Sequence, residues 1–181
     1  MDSGADKMIA PATTLKMSIK TQGSTSCMDK RFNKVTLPTE LSPGLCEFVG
    51  AFIGDGFTDR GKVVALMGDV ELDADYYVYM DNLVSNIFEL NGKLVKSNFS
   101  NSASLRFYSK VMCSFFYEYF NFPKKEKTYS VRLPEVILNS SEKNKLATIR
   151  GIYDTDGCVF FDKRPIYAKP YPRIVLDMKS K

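Results

Sequence analysis

Phe48-Val49-Gly50-Ala51-Phe52-Ile53-Gly54-Asp55-Gly56 reads as an apolar helix that ends on Asp-Gly, and Ile149-Arg150-Gly151-Ile152-Tyr153-Asp154-Thr155-Asp156-Gly157 repeats it. Each copy carries a glycine five positions before its last aspartate. The copies lie roughly one hundred residues apart, a separation that suits two similar structural units. A lone Asp-Gly after a helix is ordinary turn chemistry. Two copies with the same offset, and with a hairpin-like stretch after each, point instead to a built pair.

Outward from the first copy, Ser42-Pro43 supplies an N-cap and a proline at the first helical position. Leu45, Phe48, Val49, Phe52 and Ile53 then recur at helical spacing, and Gly56 stops the helix. A hairpin is expected from Phe57 to Gly68, turning at Arg60-Gly61. Tyr76, Tyr77, Met80, Leu83, Val84, Ile87 and Phe88 mark a second helix closed by Asn91-Gly92, and Lys93 to Tyr108 a second hairpin turning at Ser100-Asn101-Ser102. Val111, Met112, Phe115, Phe116, Tyr119 and Phe120 mark a third helix, ended by Asn121-Phe122-Pro123. The order is αββαββα, an α+β unit.

Lys124 to Lys127 then form a basic loop, Tyr129 to Leu133 an extended piece, and Pro134 to Leu138 a short turn or helix. Ser140 or Ser141 caps the second motif helix. A third hairpin pairs Val159, Phe160 and Phe161 with Arg173 to Met178. The division is therefore a flexible arm at 1–33, a first unit at 34–139 and the start of a second at 140–181. That second unit lacks the two helices and the hairpin that complete the first, so the chain reads as a truncated product or fragment. Its apolar hairpin face has little to pack on.

The chain has 181 residues, a net charge of +4 and a pI near 8.8, which permits a polyanionic partner without demanding one. It has four cysteines without C-x-x-C spacing and no histidine, which argues against a structural zinc site. Cys46 and Cys113 fall on apolar helical faces and read as buried thiols in a reducing compartment. Neither a membrane span nor the apolar core of a signal peptide is evident, so the expected location is cytoplasmic.

The helix faces carry the chemistry. Cys46, Gly50 and Gly54 form a row at four-residue spacing, and Ala147, Gly151 and Thr155 form its counterpart. Glycine inside a helix costs about 1 kcal/mol against alanine, so both rows suggest close helix packing. Each helix ends in a carboxylate, Asp55 or Asp156, at the negative end of its macrodipole. Parallel packing brings both ends together, and like-charge repulsion then opposes ionisation. A hard divalent cation removes the conflict: Mg²⁺ binds oxygen donors, keeps waters and commonly accepts substrate phosphate. Without histidine, a metal-activated water attacking phosphorus is the natural hydrolytic route.

At these residues the chain resembles the LAGLIDADG homing endonucleases in their double-motif, single-chain form. FVGAFIGDG and IRGIYDTDG both fit the nine-residue pattern, and the likeness extends from about Lys34 to Lys181. The family implies motif helices at the interface of two pseudo-symmetric halves, with Gly50, Gly54, Ala147 and Gly151 on that interface. It implies saddle-shaped antiparallel sheets lying in the DNA major groove. It further implies Asp55 and Asp156 as ligands of Mg²⁺ or Mn²⁺, with backbone carbonyls of Gly54 and Thr155 as further ligands. Ile53 stands where the second copy has Asp154, at a position that varies in such proteins and is not a ligand.

The family also places a basic residue near the scissile phosphates, for which Lys127 is the best match, with Lys124 and Lys125 beside it. Its partner in the second half falls beyond Lys181, which leaves that site incomplete. Arg60, Lys62, Lys93, Lys96, Arg106, Lys163, Arg164, Lys169, Arg173 and Lys179 lie on the predicted hairpins and form a candidate strip for double-stranded DNA. The implied activity is metal-dependent double-strand cleavage at a long site, serving intron or intein homing by a monomeric pseudo-dimer. The alternatives are an RNA maturase that binds its own intron RNA, a DNA-binding regulator on a degenerate nuclease fold, and an inactive fragment.

Overall fold

In the computed structural model, helix α1 (Pro43–Asp55) starts where expected. Ser42 is extended, and its Oγ accepts from the backbone N–H of Leu45 at 3.2 Å, satisfying one of the orphan donors of the first turn. The residues described are 35–124, 130–166 and 168–176. The expected arm at 1–33 therefore lies outside them, as do Lys125, Lys127 and Lys179.

No loop follows α1: strand β1 (Gly56–Asp59) begins at the residue after Asp55. The chain reverses through Arg60 and Gly61, both left-handed with φ of 48° and 65°, into β2 (Val63–Asp69). Glycine takes that conformation without strain, whereas arginine does not. Lys62 falls in this turn, with its N–H donating to the Asp59 carbonyl at 2.9 Å.

Helix α2 (Ala74–Phe88) ends earlier than Asn91-Gly92 suggests. Glu89 is its left-handed C-cap at φ 54°. Tertiary contact makes this end: Thr36 N–H donates to the Phe88 carbonyl at 3.0 Å, and Thr36 Oγ1 donates to the Glu89 carboxylate at 2.7 Å. Strands β3 (Lys93–Lys96) and β4 (Ser102–Tyr108) and helix α3 (Lys110–Tyr119) complete the αββαββα order. Ser109 caps α3, its Oγ accepting from Met112 N–H at 3.1 Å.

The four strands form one antiparallel sheet in the order β1-β2-β4-β3. One face packs on the helices. Leu66, Leu105 and Phe107 from the sheet meet Phe48 and Phe52 of α1, Met80 and Phe88 of α2, and Phe115 and Phe116 of α3 in a single core. Many of its rings meet edge to face, as at Phe48–Phe107, 5.7 Å apart at 89°, while Phe116 and Phe122 stack.

The short α4 (Glu135–Leu138) leads to α5 (Glu142–Asp156), capped by Ser141, whose Oγ accepts from Asn144 N–H at 3.4 Å. A two-stranded sheet of β5 (Gly157–Asp162) and β6 (Tyr171–Leu176) follows without a loop. In both hairpins the last glycine of the motif stands opposite a leucine, Gly56 opposite Leu66 and Gly157 opposite Leu176.

The two motif helices differ in what covers them. Leu45, Phe48 and Phe52 on α1 are at most 3% exposed, whereas the residues at the same motif positions on α5, Leu146, Ile149 and Tyr153, are 57%, 48% and 36% exposed. Val159, Phe161 and Ile174 on the second hairpin are exposed as well. The fold is mixed α+β built on an antiparallel sheet, and among the described residues no helix is long and apolar enough to cross a membrane.

Candidate functional site

The centre of the site is the contact between α1 and α5. A Cβ placed on Gly50 would overlap the carbonyl oxygen of Thr148 and stand 3.1 Å from the N of Ile152. One placed on Gly151 would overlap the carbonyl of Glu47 and stand 2.7 Å from the N of Ala51. The helices thus touch backbone to backbone, which only the missing side chains permit. Ala147, the third small residue of this face, is buried at 8% exposure.

The contact pairs advance together along both helices. Asn144 Nδ2 donates to the Leu41 carbonyl at 3.3 Å, Glu47 pairs with Arg150, and Gly54 faces Thr155. The helices are therefore parallel, and their C-terminal ends lie side by side. A Cβ on Gly54 would meet the Thr155 side chain and stand 3.2 Å from an Asp156 carboxylate oxygen, which places the second aspartate against the end of the first helix. Asp55, Asp73, Tyr76, Tyr77, Asp154 and Thr155 line a small polar cavity of about 70 Å³ at this end.

The charges there are strained toward neutrality. Partial burial and the nearby Glu47 carboxylate raise the pKa of Asp154, while Arg150 opposes them. Burial, with Asp154, Glu47 and Asp55 adding to it, drives the Tyr76 hydroxyl far above its ordinary range, and that buried hydroxyl makes no hydrogen bond to the described residues. Two helix C-termini add partial negative charge at the same end. The donors are all oxygen, the set a hard cation prefers. Among the described residues no group of three or more His, Cys, Asp or Glu converges on one point. Of the two expected ligands Asp55 lines the cavity and Asp156 does not; the other carboxylates on its wall are Asp73 and Asp154.

Strand alternation sorts the expected basic strip. Arg106 stands opposite both Ala65 and Lys93 and lies over the Phe57 ring at 6.0 Å, so Phe57, Ala65, Arg106 and Lys93 form one row across the face away from the core. Lys96 stands opposite Ala103, whose side chain enters the core, so it belongs to the other face. Arg60 and Lys62 lie at the first turn, and Lys163, Arg164 and Lys169 between β5 and β6. Arg164 and Arg173 both pair with Asp162, at 2.7 Å and 2.9 Å, and these pairs hold the Asp162 carboxyl below its usual range. Lys124 sits with its Nζ 5.7 Å from the Tyr117 ring centre.

Sequence patterning placed Tyr76 in the stripe of the second helix without a role at the site, and did not single out Glu47 or Tyr79. Glu47 is 2% exposed, accepts from Tyr79 Oη at 2.7 Å and pairs with Arg150. The available signal was a lone carboxylate inside an apolar helix with one arginine in the matching helix.

No family model matches this sequence. Over 135 residues, 74% of this chain, it is 27% identical to the glutamine-fructose-6-phosphate aminotransferase (isomerizing) of Methanocaldococcus jannaschii. The chain spans 12% of the length of that curated relative. A solved structure, I-DmoI in complex with DNA and Mn, is similar at a TM-score of 0.44 with 17% identity, over 65% of this chain and 64% of that one.

Proposed function

We propose that this chain is a site-specific DNA endonuclease of the LAGLIDADG type, cutting both strands of a long duplex target with Mg²⁺ or Mn²⁺. The carrying observation is the parallel, glycine-packed pair α1 and α5, which delivers Asp55 and Asp156 to one end of one interface. In this reading the α1–α3 unit is one half of a pseudo-dimer and α5–β6 begins the other.

Asp55 and Asp156 hold the metal, with the carbonyls of Gly54 and Thr155 as further donors. A bound ion polarises phosphoryl oxygens and lowers the pKa of a bound water. Lys93 and Arg106, the latter over the Phe57 ring of β1, supply a basic row for backbone phosphates. Lys127 is assigned to the scissile phosphates. A match confined to 12% of a longer relative suits an element inserted in a host gene, as intron or intein homing requires. The same small share assigns no sugar-phosphate transamination to this chain.

The test is cleavage of a duplex library with randomised inserts, followed by sequencing of the ends. Defined double-strand breaks are expected with Mg²⁺ and none after chelation. Asp55→Asn and Asp156→Asn should each abolish cleavage while leaving DNA binding in place. Undiminished cutting by either variant at matched concentration rules out these ligands.

A further inference from the structure

We propose that Glu47 sets the axial register of α1 against α5, and through it the position of Asp55 relative to Asp156. Its importance for catalysis rests on the endonuclease reading above. Contacts between glycine backbones set how close two helices come, but they resist sliding weakly, because no side chain projects as a knob into the facing helix. At Gly50 and Gly151 the interface is of this kind.

Glu47 stands beside that smooth contact and supplies what it lacks. Its side chain is 2% exposed, yet one carboxylate oxygen accepts from Tyr79 Oη of α2 at 2.7 Å and the other pairs with Arg150 Nη2 of α5. Arg150 Nη2 also lies 3.4 Å from Tyr79 Oη, closing a three-membered network across three helices. Sliding α5 by one residue breaks the pair and leaves a buried carboxylate short of a partner. A second cross-helix bond, Asn144 to the Leu41 carbonyl, lies at the far end from the aspartates. Beside the aspartates the Thr155 side chain sits against Gly54, an uncharged contact; Glu47 makes the charged one, so mis-registration is most strongly opposed there.

Buried ion pairs contribute little net stability against apolar replacements, and their best-attested use is fixing register. Glu47 is thus a positioning residue, and its effect separates from stability. The experiment compares wild type, Glu47→Gln, Glu47→Leu and Arg150→Met. The register is read from the nuclear Overhauser contact between Gly54 Hα and the Thr155 methyl. Wild type and Glu47→Gln should keep that contact. Glu47→Leu should lose it with an unchanged or higher Tm. Arg150→Met, altered at a half-exposed side chain, should weaken it and decides the matter if Glu47→Leu fails to fold.

Mn²⁺ titration by electron paramagnetic resonance gives a second readout, expected at wild-type affinity for Glu47→Gln and at least tenfold weaker for Glu47→Leu. Retention of the Gly54–Thr155 contact in folded Glu47→Leu, or in Arg150→Met when the former is unfolded, overturns the inference. Loss of the contact in Glu47→Leu, with the contact kept in a wild type that binds no Mn²⁺, would uphold the register role and reject the metal reading instead.

Discussion

Gly50 and Gly151 are where single atoms matter most. An added methyl at either meets main chain of the other helix, and main chain cannot swing aside as a flexible side chain can. Gly50→Ala should therefore destabilise by about 2 kcal/mol or more despite alanine's better helix propensity, read by denaturant unfolding. Cys46 and Cys113 give a pH prediction. Burial pushes both thiols up from 9.0 to about 12. The unfolded chain then releases these protons first, so stability is intact below pH 9 and falls as pH rises toward 12. Unfolding midpoints measured from pH 8 to 11 should drop progressively, and the drop should shrink in Cys113→Ala. At this scale the two close-packed glycines, and the place of each aspartate at the end of its helix, were legible because they recur at one offset. Glu47 was not, since its partners Tyr79 and Arg150 are distant in sequence and one carboxylate in an apolar run has no local signature.

Elements explain what was and was not readable beyond single residues. Helix α1 announced itself through Ser42-Pro43 and an apolar stripe, and its bounds follow those local signals. The end of α2 did not, because Thr36, far away in sequence, closes it at Glu89 before Asn91-Gly92 is reached. Likewise the hairpin of β3 and β4 was visible, but its pairing register was not. That register joins Lys93 to Arg106 and sends Lys96 to the opposite face. If the outer face meets duplex phosphates, Lys93→Ser with Arg106→Ser should lower the slope of log affinity against log salt by about 2, and Lys96→Ser should leave it nearly unchanged. Fluorescence anisotropy across a salt series measures both.

On the scale of the whole molecule, α1 and the sheet β1-β2-β4-β3 bury their facing sides in an aromatic core, while the matching faces of α5 and the β5–β6 hairpin stay open. Local stability should follow that difference. Amide exchange is expected to be slowest in β2 and β4 and fastest in β5 and β6, and limited proteolysis should cut between residues 163 and 170 before any site in the four-stranded sheet. Both motif helices pass directly into strands, Asp55 to Gly56 and Asp156 to Gly157. Each carboxylate is thus mounted on a joint without slack. Bending either hairpin turns its aspartate through the same motion, as a lever turns its pivot, so the flexing of the sheets and the spacing of the two acids form one mechanical coordinate.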